Sequence, residues 1–114
     1  MRIIIANTKS VEETKKIVER STEDLFRSAA GGIVQISNVQ KTWNGNTMAF
    51  EFTASVAFFS TPIQGTVMVT EKEVTIDVAI PEMFRKFISE DNLKSGIESR
   101  IRGLLSEPTP PQTK

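Results

Sequence analysis

The side chains that usually carry chemistry are sparse in this chain of 114 residues, which holds no Cys, no His and no Tyr. That removes disulfides, thiolate nucleophiles, imidazole bases and almost all zinc or copper sites. Acid–base work is left to two isolated strand carboxylates, Glu51 and Asp77. Two carboxylates act together only at a defined separation and with unequal pKa values, and the sequence sets neither. No catalytic residue is assigned, and the chain reads as a non-enzyme. Glu90-Asp91-Asn92 supplies oxygens without the alternating ligands, central glycine and closing glutamate of a calcium loop, so it reads as a helix cap. Gly31-Gly32 lacks the lysine and the strand-loop-helix order of a phosphate loop, and reads as a helix stop. No metal and no cofactor is expected.

The aromatic residues are more informative. Phe58 and Phe59 are adjacent, and neighbouring side chains on a strand point to opposite faces, so both rings cannot enter one core. One ring is left for a second helix, a partner chain or an apolar surface. Met68, with Ala49 and Ala57, is expected on that same outer face. Met83, Phe84 and Phe87 are expected at the mouth between the sheet and the helix that follows it. Phe58, Phe59, Met68, Met83, Phe84 and Phe87 together form the candidate apolar contact surface. Trp43, beside an Asn-Gly turn, reads as a cap on the open end of the core.

These residues need elements to hold them. Residues 2–6 are short and β-branched, the composition of a strand. Ser10-Val11-Glu12-Glu13 is a capping box. After it, Val11, Thr14, Ile17, Val18, Leu25 and Ala29 gather on one face, with charged residues opposite, so residues 11–29 form a helix. Met48, Phe50, Phe52, Ala54, Val56 and Phe58 then fall on even positions; Ile63, Val67 and Val69 alternate around Gly65; and Val74, Ile76, Val78 and Ile80 alternate again. These are three strands with one apolar face each. Asn44-Gly45-Asn46 and Glu71-Lys72-Glu73 have hairpin-turn length, and Ser60-Thr61-Pro62 is read as a third turn. Residues 33–43 form a further strand whose parity switches between Ile36 and Val39, which predicts a bulge near Ser37-Asn38.

Beyond Pro81, the cluster Met83, Phe84, Phe87 and Ile88 is offset by roughly 100° from the cluster Leu93, Ile97, Ile101, Leu104 and Leu105. One straight helix cannot aim both at the same sheet. A short helix, a break at residues 89–92 and a second helix capped by Ser89 or Asp91 are therefore expected. The order β-α-β-β-β-β-α predicts an α+β two-layer sandwich, an antiparallel meander with helices on one face, in the plan of helix-grip (START-like) folds. Residues 1–106 make one domain, and residues 107–114, with three of the five prolines, a flexible tail.

Lys+Arg and Asp+Glu are 14 each, and a balanced chain lacks the basic excess that nucleic-acid binding needs. The first helix region (9–27) and the last (82–107) each carry five basic and five acidic residues, so neither is a phosphate-binding stripe. The N-terminal apolar run is too short for an export signal, and no run approaches a membrane span. A cytoplasmic protein is expected.

The block Trp43-Asn44-Gly45-Asn46-Thr47-Met48-Ala49-Phe50 is followed by Ile63-Gln64-Gly65-Thr66-Val67, then by Val74-Thr75-Ile76-Asp77-Val78-Ala79-Ile80-Pro81 and an Ile-rich helix over 97–105. This pattern resembles the polyhydroxyalkanoic acid system (granule-region) family of small bacterial proteins, over most of residues 1–106. The resemblance implies a non-enzymatic binding or accessory protein associated with polyhydroxyalkanoate granules or storage-polyester metabolism. It brings no catalytic residues. Two alternatives stand beside it: a carrier holding a hydroxyacyl or lipid-like ligand in a pocket under the C-terminal helix, and a homodimer joined by strand edges or the aromatic face. The carrier requires a cavity of about a few hundred Å³.

Overall fold

Alternation along the chain is converted into a single sheet. The computed structural model describes residues 1–30, 34–86 and 89–106; the expected helix stop at Gly31-Gly32, the Phe87 contact and the tail 107–114 lie outside them. Five strands, β1 (Arg2–Ala6), β2 (Gln35–Asn44), β3 (Thr47–Val56), β4 (Phe59–Val69) and β5 (Glu73–Val78), pair antiparallel in the order β1-β5-β4-β3-β2. The helices α1 (Val11–Ala30) and α2 (Glu90–Ser106) cover one face, with a 3-10 helix, Glu82–Lys86, leading into α2. The α+β two-layer sandwich expected from the sequence is the fold.

The core lies between helices and sheet. Met48, Phe50, Phe52, Ala54 and Val56 of β3 face inward, with Ile63, Val67 and Val69 of β4 and Val74, Ile76 and Val78 of β5. Above them pack Val18, Leu25 and Phe26 of α1 and Leu93, Ile97, Ile101 and Leu105 of α2. The Phe26 ring lies 5.2 Å from both Phe50 and Phe52. Gly65 is paired with Phe50, and a Cβ there would stand 2.5 Å from the Phe50 ring and from the Asp77 carbonyl oxygen. The glycine is what lets that ring lie across β4.

The local signals act as read. Ser10 Oγ accepts the Glu13 amide at 3.2 Å, starting α1. Ser89 caps α2: its Oγ accepts the Asn92 amide at 3.3 Å, which places Glu90, Asp91 and Asn92 in the first helical turn. The bulge is present too. The β2–β3 register shifts between Ser37 and Gln40, and Asn38 takes φ 54°, a left-handed value that asparagine tolerates better than most residues.

Polar residues also enter the core. Asn7 is buried where β1 ends: its Nδ2 donates to the Thr70 carbonyl at 2.9 Å, and its Oδ1 accepts from the Lys9 amide and the Thr14 hydroxyl, each at 3.0 Å. One side chain thus ties β1, α1 and the β4–β5 turn together. Thr22, also buried, donates to the Val18 carbonyl at 2.6 Å.

One turn is corrected. Val56 pairs with Phe59, so the β3–β4 connection is the two-residue turn Ala57-Phe58, while Ser60, Thr61 and Pro62 belong to β4. Pro62 is tolerated there because β5 pairs only with Gly65 to Val69 of β4. On its β5 side the strand has no ladder at Pro62 for a missing N–H to break.

Candidate functional site

The distal half of the β3–β4 hairpin runs beyond the end of β5 and ends in a strained aromatic turn. Ala57 has φ 54°, a left-handed value that costs a non-glycine residue roughly 1–2 kcal/mol. Phe58, next to it, is 100 % exposed. Phe59 follows, 46 % exposed, on the helix-facing side with its partner Val56. On the opposite face, one step back, the Ser55 and Ser60 hydroxyls lie 2.9 Å apart.

The five described members of the expected contact surface do not form one surface. Phe59 and Met68 are separated by an odd number of positions on the same strand, so alternation sends them to opposite faces. They also stand about 30 Å apart along β4. Met68, 46 % exposed, is paired with Thr75 on the outer face, and Ile4 is paired with Thr75 from the other side. Phe84 is 2 % exposed. It is core, lining a small void with Phe26, Phe52 and Leu93 rather than a mouth. Pro81 explains this: its carbonyl accepts the Phe84 amide at 3.0 Å, closing a tight turn that throws the ring inward. Met83 is exposed on the 3-10 helix. Among the described residues of the six, only Phe58 and Phe59 are brought together.

Two voids beneath the helices measure about 20 and 30 Å³, room for roughly one water each. Among the described residues these spaces do not accommodate the hydroxyacyl or lipid-like guest that the carrier reading requires.

The outer face of the sheet carries a broad open groove of about 650 Å³, lined by Gln40, Thr42, Glu51, Gln64, Thr66 and Asp77. Both carboxylates singled out in the sequence lie in it, each engaged by a neighbour. Arg2 donates to Asp77 from Nε at 3.0 Å and from Nη2 at 3.3 Å, and Gln64 Nε2 donates to Glu51 at 3.2 Å. They serve as cross-strand partners. Among the described residues no group of three or more carboxylates could hold a metal ion, and no helix is long and apolar enough to cross a membrane.

Trp43 has a structural role at the other end of β3. Its indole Nε1 donates to Glu19 Oε1 at 2.6 Å, and Lys41 Nζ donates to the Glu19 carbonyl at 2.6 Å and lies 3.0 Å from Glu19 Oε2. Lys15 Nζ sits 5.0 Å over the indole ring and donates to the Gly45 carbonyl at 2.9 Å. The indole N–H, followed by Lys41, holds the Glu19 carboxyl below its ordinary pKa.

Compared with models of known protein families and with proteins of curated function, the chain matches none.

Proposed function

We propose that this chain is a non-enzymatic accessory protein of polyhydroxyalkanoate granules, and that it docks on them through the β3–β4 hairpin tip. The observation that carries the reading is Phe58, wholly exposed on a turn whose left-handed residue is Ala57. A folded chain gains nothing from holding a phenyl ring in water, and strained, exposed apolar turns are characteristic of contact sites. The granule comes from the family resemblance. A granule presents an apolar polyester, and covering one phenyl ring with it contributes about 2 kcal/mol. The cytoplasm is the compartment this reading requires.

The test is partitioning of the full chain with isolated polyester granules. Phe58→Glu is expected to cut the bound fraction more than about tenfold, the effect of losing roughly 1.4 kcal/mol or more. Its melting temperature should stay unchanged, because Phe58 buries nothing within the fold. A Phe58→Glu variant that partitions as the parent does removes the docking assignment. Native mass spectrometry of protein from polyester-producing cells separates this reading from a homodimer, which would appear as twice the chain mass.

A further inference from the structure

Resting on that docking reading, we propose that the surface met by the hairpin is the neutral, ester-bearing polymer itself, and that the hydroxyl pair behind the tip recognises its carbonyl groups. The first observation is charge. Residues 52–70, which contain the part of the β3–β4 hairpin that runs beyond β5, include no Asp, Glu, Lys or Arg, although 28 of the 114 residues are charged (14 basic and 14 acidic). The flanking charges, Glu51 and Glu71, lie at its two ends. The neighbouring part of β2 adds Gln35, Ser37 and Asn38, also uncharged. Arg27, which donates to the Ile36 carbonyl at 3.2 Å, is neutralised by Glu23 at 2.8 Å.

Docking on an anionic lipid coat uses Lys and Arg beside the apolar residues, each adding to attraction at the charged surface. This arm has none to offer. It can instead enter a low-dielectric phase without the desolvation cost that a charge would carry.

The second observation is the hydrogen-bonding character of what remains. The pair of half-buried Ser55 and exposed Ser60 lies immediately behind the turn, with Thr53 and Pro62 as the next pair on the same face. Hydroxyls supply donors as well as acceptors. A polyester interior offers acceptor carbonyls and no donors, so the two surfaces are complementary. The two hydroxyls share one hydrogen bond, which leaves one donor over; an alkane surface cannot accept it, and leaving it dry carries a penalty.

The experiment uses the full chain with four probes: poly(3-hydroxybutyrate) particles, paraffin particles, phosphatidylcholine vesicles, and the same vesicles with added phosphatidylserine. Binding to the polyester should hold or rise from about 0.1 M to about 1 M salt, although the screening length falls from about 10 Å to about 3 Å. The double variant Ser55→Ala with Ser60→Ala should weaken polyester binding about threefold to tenfold, as for one or two modest hydrogen bonds, and should tighten paraffin binding, because no hydroxyl is then left dry against the alkane. Loss of polyester binding at high salt, or tighter binding to the phosphatidylserine vesicles, overturns the neutral-polymer assignment. An unchanged polyester affinity in the double variant overturns the carbonyl recognition. In each case Phe58→Glu reports separately on the docking reading, which stands if that variant alone releases the polyester.

Discussion

The two turns at the ends of β3 solve one geometric problem with opposite residues. Both are two-residue connections containing a left-handed backbone: φ is 64° at Gly45 and 54° at Ala57. At the first, glycine takes the strained position without penalty, Lys15 holds its carbonyl, and Trp43 and Lys41 tie the flanking strand to Glu19 on α1. At the second, alanine occupies the strained position and a bare phenylalanine follows. The first turn obeys every local rule for stability. The second breaks two, and such violations concentrate where a protein makes contact with something else.

Four substitutions test how far that contrast reaches. The largest effect is expected where the β3–β4 arm joins the rest of the sheet. Gly65→Val forces a side chain against the Asp77 carbonyl and the Phe50 ring, and should cost on the order of 3 kcal/mol, read as a lower urea midpoint. An unchanged midpoint would show that the strand shifts freely at that joint. The two turns themselves should respond with opposite signs. Gly45→Ala meets no atom within 4 Å and so loses only backbone ease, about 1 kcal/mol. Ala57→Gly should gain up to about 1 kcal/mol, offset in part by glycine's greater freedom when unfolded. Equal signs in paired thermal melts would dissolve the contrast. Trp43→Phe removes the indole N–H from Glu19 while keeping a ring under Lys15, and should cost about 1 kcal/mol. If denaturant melts give the two proteins the same stability, the staple on the first turn is ornamental.

The smallest effect is a pH dependence confined to the stapled end. Glu19 is held below its ordinary pKa by the Trp43 N–H and then by Lys41. Its contribution is therefore fully present above the unfolded-state pKa near 4.5. It fades as pH falls through the lower folded-state value. Because the carboxylate is well exposed, solvent screening keeps the contribution small. The stability difference between the parent and Glu19→Gln should accordingly shrink on acidification from pH 6 into this range. A gap that stays constant or widens in melts across that window contradicts the assignment.

Much of this was legible in the chain. The capping serines and the parity switch that demanded a bulge each have a local physical cause, and each produced the element it announced. The break expected over residues 89–92 is narrower than that: the Ser89 cap starts α2 at Glu90, so residues 90–92 are helical. Ser60-Thr61-Pro62 misled because proline and small polar residues are common in turns. The correct position was nevertheless encoded: inward residues are even on β3 and odd on β4, and antiparallel pairing reconciles those parities only through an even-numbered loop. The contact surface was legible only for its adjacent phenylalanines. The sequence places Phe84 at a mouth because a short amphipathic cluster does not reveal how the 3-10 turn after Pro81 aims its rings. Asn7 gave no signal, since its partners Thr70, Lys9 and Thr14 come from two loops and a helix.

Alternating apolar residues, caps and glycine turns act over a few positions, so the amino-acid order by itself determined the helices, the strands and which face of each is apolar. Where those pieces stop was decided by the assembled sheet. β5 ends at Val78 while β3 and β4 run on, leaving Phe58 past the packed layers, and the same packing drew Phe84 inside. Burial is a property of neighbours distant in the chain, and only the tertiary structure chooses those neighbours.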